Sequence, residues 1–164
     1  MDTDSDERLA REALRRAYEM HRLPLLRLST LLLSDASRAE DVVQDVFVRS
    51  FGAVGRLPDD QIGPYLRRGV VNAWKNEVRH RRTAELAAPK VAHQEFLPTD
   101  SVEERDAMWA AIRDLPPRQR ACIVLRYYED LSDREIARLL GCRVGTVKSQ
   151  SSRAIAKLRK VVSP

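Results

Sequence analysis

The stretch DREIARLLGCRVGTVKSQSSRAIAKLRK, residues 133–160, decides how the rest of the chain is read. Two short helical patterns flank a turn at Gly141. Just ahead of it, Ser132 and Glu135 have the Ser-x-x-Glu spacing of a capping box, and Gly141 is placed to stop the first helix. On the second helix Val144, Val147, Ala154 and Leu158 recur at helical spacing and are expected to face a core. The opposite side presents Lys148, Ser149, Ser152, Arg153 and Ala156, so small side chains sit between two long cations. With Ala137 small where two helices must cross, the pattern is a helix-turn-helix. Residues 143–160 carry six Lys or Arg and no acid. Such a face suits close approach to a DNA groove, with base edges and phosphates in reach of the cations. A merely solvated basic face is the plainer alternative.

Outward from this stretch, the composition is helix-forming. The 164 residues are 43% apolar and 32% charged, with only 5% aromatic, and fit one ordinary domain or two small ones. The formal charge of +5 is unevenly spread, because the first 45 residues hold Asp2, Asp4, Asp6, Glu7, Glu12, Glu19, Asp35, Glu40, Asp41 and Asp45. No apolar run approaches the roughly 20 residues that a membrane crossing needs. The start MDTDSDERLA lacks a signal peptide's basic and apolar regions, so a cytoplasmic chain without membrane insertion is expected. Cys122 and Cys142 form no CxxC or Cys/His cluster and are expected to be buried, reduced thiols. His21, His80 and His93 are scattered. No metal cluster, phosphate-cradling glycine loop or nucleophile motif is present, so neither catalysis nor a cofactor is expected.

Helical spacing runs nearly throughout, with no period-two strand and no internal repeat. A first helix is expected over residues 7–33. A turn at SDAS then leads to a helix whose stripe is Val43, Val46, Phe47 and Phe51. GRLPDDQIGP breaks the pattern, and another helix is expected over 64–82 with Leu66, Val70, Ala73, Trp74 and Val78 inward. TAELAAPKVAHQEFLPT, residues 83–99, has two prolines and no repeated face, and reads as a flexible linker. Helices resume at Ser101, where SVEE has capping-box form, continue to Asp114, and restart at the double proline of LPPRQ.

Two further surfaces stand out. Residues 62–83 carry Arg67, Arg68, Lys75, Arg79, Arg81 and Arg82 against one acid, Glu77, interleaved with Tyr65, Asn72, Trp74 and Asn76. Cations, amides and aromatics suit exposed bases as well as phosphates. Trp74 itself falls in the apolar stripe, which favours the core over a stacking platform. On EDVVQDVFVRSF the face opposite the stripe holds Asp41, Gln44, Asp45 and Val48, acidic with an apolar patch. It would repel DNA, and serves either solubility or the docking of a protein partner.

Together these motifs resemble the bacterial extracytoplasmic-function (ECF) sigma factors of the sigma-70 family, in the small form with only domains 2 and 4. The resemblance runs from about Tyr18 to Arg159. AEDVVQDVFVRSF is similar to the polymerase-docking motif, YLRRGVVNAWKNEVRHRR to the promoter-melting helix, and LPPRQRACIVLRYYEDLSDREIARLLGCRVGTVKSQSSRAIAKLR to domain 4. VKSQSSRA resembles an actinobacterial subgroup.

The resemblance implies an all-α fold of two small helical domains: sigma domain 2 over 1–83, a flexible linker over 84–100, and sigma domain 4 over 101–164. It implies that Asp41, Gln44, Asp45 and Val48 meet the clamp helices of the largest polymerase subunit, and that the flap region of core RNA polymerase is a second contact. Asn72 would touch the exposed strand of the minus-10 element, with Arg67, Arg68, Lys75, Asn76 and Arg79 beside it, and a loop at 52–63 would capture a flipped base. Arg126, Arg143, Thr146, Lys148, Ser149, Ser152, Arg153 and Lys157 would serve minus-35 DNA, Arg126 as a phosphate contact. Relatives are commonly held off by an anti-sigma protein, although no residue here identifies one. Arg143 stands where many relatives begin the recognition helix with Ser or Pro, which removes a good N-cap. The alternative on the same helix-turn-helix is a repressor or activator that binds duplex DNA as a dimer. It leaves the acidic helix and the upstream basic segment unexplained.

Overall fold

The computed structural model describes residues 3–85 and 103–162, with side chains placed at 7–83 and 107–160. Every regular element among them is helical. The chain divides into two compact units, Met1–Glu77 and Val78–Pro164. The expected linker and the expected cap at Ser101 lie outside the described residues, except that residues 84 and 85 extend a helix.

In the first unit, α1 (Thr3–Leu33) and α2 (Ala36–Val54) are joined by two residues. Ser34 turns the chain in left-handed backbone with φ 56°, and Asp35 caps α2 by accepting from Arg38 N at 3.0 Å. The packed set includes Leu25, Leu28 and Leu32 from α1 with Ala39, Val43, Val46 and Phe47 from α2. Tyr18 and Phe47 meet edge to face, 5.0 Å between centroids.

Helix α3 (Asp59–Glu85) starts a turn and a half before the expected residue 64 and continues through Gly63 and Pro64. Two acids in its first turn favour the helix N-terminus. Buried Ile62 and Leu66 anchor that turn. Gly63 serves packing rather than termination, since a Cβ there would lie 3.2 Å from Cε1 of His21. The break between α2 and α3 therefore shrinks to residues 55–58, and the expected loop at 52–63 is mostly helix. Farther along α3, a Cβ at Gly69 would lie 2.9 Å from Cγ1 of Val46, so α2 and α3 approach closely at that point.

The second unit contains α4 (Glu103–Arg113), α5 (Pro117–Ile123), a π-helical turn (Val124–Tyr128), α6 (Asp133–Leu140) and α7 (Val144–Val162). Leu115, Ile123 and Ala154 form a core cluster with Ile155 and Leu158 against it. Arg120 is 7% exposed, and its Nη1 donates to Arg113 O at 2.7 Å, satisfying a carbonyl at the end of α4. Burial lowers its pKa to about 10.

The capping box on α6 is complete: Glu135 N donates to Ser132 Oγ at 3.3 Å and Ser132 N donates to Glu135 Oε2 at 2.8 Å. Gly141 ends α6 with φ 67°. Of the two cysteines, Cys122 is buried as expected, whereas Cys142 is only half-buried, because it follows Gly141 in the turn between helices.

Candidate polymerase-docking and nucleic-acid surfaces

On α2 the buried face is Ala39, Val43, Val46, Phe47, Ser50 and Val54. Phe51, expected in the stripe, is half-buried. The 100° step of the helix leaves Asp41, Gln44, Asp45 and Val48 exposed together. Val48 is 73% exposed, a large apolar side chain set among acids. Asp45 Oδ1 accepts from Arg49 Nε at 3.0 Å, in a pair so exposed that solvent weakens it.

On α3, Asn72, Asn76, Arg68 and Arg79 are exposed, whereas Arg67 and Lys75 are half-buried. Trp74 is 3% exposed and belongs to the core, which settles the choice left by the sequence. Its Nε1 has no hydrogen-bond partner. Ala73 and Val78 are half-buried, while Val71, absent from the expected stripe, is fully buried. The one acid of the basic segment is neutralised by a residue on α2: Arg38 Nη2 lies 2.7 Å from Glu77 Oε2. That pair spans 39 residues, so no local pattern could reveal it.

On α7, Val147, Ser151 and Ala154 are buried, with Val144 and Leu158 half-buried beside them. Ser151 completes the inward face but was hidden in the sequence by its polar type; its Oγ is unpartnered. Lys148, Ser149, Ser152, Arg153, Ala156 and Lys157 are exposed along the outward side, and Thr146 is half-buried. Ser149 Oγ donates to Thr146 O at 3.0 Å, which leaves its lone pairs to face solvent. Arg143 is exposed, and its carbonyl accepts from Thr146 N at 2.9 Å, so α7 opens on backbone rather than on a side-chain cap.

Arg126 sits on the π turn, where Glu129 N reaches back to Val124 O at 3.2 Å. Val124 and Leu125 are buried while Arg126 is half-buried and ion-paired with Asp133. Arg126 and Asp133 line a cavity of about 330 Å³ with Lys148, Ser152 and Arg159. Asp133 and Arg159 were not among the expected site residues. The signal for Arg159 was its helical register with Lys148 and Ser152; for Asp133 there was none, because the non-helical residues 129–132 separate it from the helix that carries Arg126.

Among the described residues, no group of His, Cys, Asp and Glu could hold a metal ion, and no helix is long and apolar enough to cross a membrane.

Comparison with known proteins matches both blocks. The family described as Sigma-70 region 2 covers residues 17–84, and Sigma-70, region 4 covers 105–158. The chain is 34% identical over 141 residues to the RNA polymerase sigma-E factor of Streptomyces coelicolor, covering 83% of this chain and 78% of that one. It is 30% identical to the ECF RNA polymerase sigma factor SigM of Mycobacterium tuberculosis, covering 93% and 78%. In fold it is similar to the sigma factor RpoE solved with the anti-sigma factor NepR from Bartonella quintana, with TM-score 0.69 and 22% identity over 90% of this chain and 95% of that one. A second likeness is to CnrH, solved with the cytosolic domain of CnrY, with TM-score 0.60 and 24% identity over 96% of each chain. Region 2 and region 4 side by side set the stand-alone repressor aside. The chain belongs to the sigma-70 family, in its extracytoplasmic-function group, and is an RNA polymerase sigma factor for promoter-specific transcription initiation.

Proposed function

We propose a division of labour among the three exposed faces. The outward face of α2, with Asp41, Gln44, Asp45 and Val48, docks on the clamp helices of the largest polymerase subunit, and the second unit meets the flap region. On α3, Asn72 receives an unpaired base of the minus-10 element while Arg67, Arg68, Lys75, Asn76 and Arg79 hold the strand. On α7, Lys148, Ser149, Ser152 and Arg153 read the minus-35 major groove, with Arg126, Arg143, Thr146 and Lys157 on the phosphates. The observation that carries this reading is the opposition of sign: the outward face of α2 exposes acids and an apolar valine, whereas α3 exposes amides and cations and α7 exposes hydroxyls and cations. One surface repels DNA and two attract it.

The domain limits that accompany this reading are 1–83, a linker at 84–100, and 101–164. The protein works in the cytoplasm without catalysis of its own, strand opening being driven by binding energy when unstacked bases are captured. An anti-sigma partner is also part of the reading, supported by the NepR complex of the Bartonella relative. Run-off transcription with core polymerase on promoter templates tests the whole. Defined transcripts that depend on this chain are expected, and DNA binding without any transcript would refute it.

A further inference from the structure

The cavity between the π turn, α6 and α7 combines three cations, Arg126, Lys148 and Arg159, with one carboxylate, Asp133. A carboxylate on a DNA-facing surface repels phosphate, so its presence there needs a reason. Asp133 is the first residue of α6 and is held in place by the Ser132–Glu135 capping box around it. Its Oδ1 accepts from Arg126 Nη2, and the two side chains are 24% and 26% exposed. What this half-buried pair adds to the fold is read separately, from the unfolding midpoint. The cap of α6 does not depend on it, because Ser132 and Glu135 supply that.

The pair does restrict Arg126. A guanidinium offers five N–H donors in one plane, and Asp133 engages Nη2, which leaves donors elsewhere on the same plane for a second acceptor. Fixing a long, rotamer-rich side chain before binding lowers the ordering cost when a phosphate arrives. Building on the minus-35 reading, we propose that Asp133 is a positioning residue for DNA binding. Its carboxylate holds the Arg126 fork at the cavity edge, where the remaining donors meet a backbone phosphate together with Arg159. The two extra cations of the cavity outweigh the single carboxylate.

The test uses the full chain with core polymerase on a promoter duplex selected from a randomised minus-35 library. Affinity is measured across salt concentrations for wild type, Asp133→Ala, Asp133→Asn, Arg126→Ala and the Arg126/Asp133 double alanine. Asp133→Ala is expected to weaken binding roughly fivefold and to make the salt dependence shallower by about one unit, as Arg126→Ala does. In the Arg126→Ala background it should cause no further loss. Asp133→Asn, which keeps an acceptor at Oδ1, should retain the wild-type salt dependence.

Unchanged or tighter binding by Asp133→Ala would overturn the proposal. So would an equal loss without Arg126, an Asn variant as defective as Ala, or a lowered unfolding midpoint with an unaltered salt dependence. Lys148→Ala and Arg153→Ala on the same library separate the parent reading. If they shift sequence preference while Asp133→Ala has no effect, only the role of Asp133 falls. If they too change nothing, minus-35 recognition by α7 falls with it.

Discussion

Replacing Gly69 by Ala should destabilise the protein in its natural background and stabilise it when Val46 is also Ala. The added Cβ would lie 2.9 Å from Val46 Cγ1 and 3.2 Å from Cγ2, closer than van der Waals contact permits. Val46 is 6% exposed and has little space into which to retreat. Overpacking of this kind costs about 1–3 kcal/mol. Against it stands the gain of about 1 kcal/mol for Ala over Gly inside a helix. The net expectation is a loss of about 1 kcal/mol. Val46→Ala alone removes both clashing methyls and should cost about 2–3 kcal/mol in lost burial and cavity. In that background only the helical gain remains, so Gly69→Ala should add about 1 kcal/mol of stability. The coupling is therefore about 2 kcal/mol, larger than the scatter expected of independent sites. Urea unfolding followed by the fluorescence of buried Trp74, with Trp109 changed to Phe so that only one tryptophan reports, measures all four corners of the cycle. The same sign for Gly69→Ala in both backgrounds would refute the close contact of α2 and α3 as the reason for this glycine.

The double change Asp41→Ala, Asp45→Ala should weaken binding to core polymerase while leaving the circular dichroism of the helices unchanged, because both side chains are exposed; unaltered affinity in a pull-down would remove α2 as the docking face. Asn72→Ala should impair transcription from duplex templates more than from templates carrying a pre-melted bubble, and equal losses on both would refute its contact with an unpaired base. Burial pushes the Cys122 thiol up to about 11 from an ordinary value of 9.0, so between these the folded state holds its proton while the unfolded state releases it. Stability should therefore fall as pH rises above about 9. Urea titrations at pH 8 and pH 10 check this, and Cys122→Ala should flatten that part of the profile.

The sequence by itself determined the elements whose causes are local. The capping box at Ser132, the left-handed stop at Gly141 and the opposite faces of α2 and α7 all follow from spacings of three or four residues, and the structure keeps them. The sign of each exposed face was legible for the same reason, since a helix with one buried stripe must turn the other residues outward. Tertiary packing decided the rest. The start of α3 moved to Asp59 because Ile62 and Leu66 bury a turn that Gly63 and Pro64 would otherwise discourage. Ser151 went into the core because its place on the helix outweighed its hydroxyl. Arg38 found Glu77 across 39 residues, and Arg126 met Asp133 across the non-helical residues 129–132. Such pairings depend on how helices lie against one another, and a period read along a single helix carries no record of its neighbour.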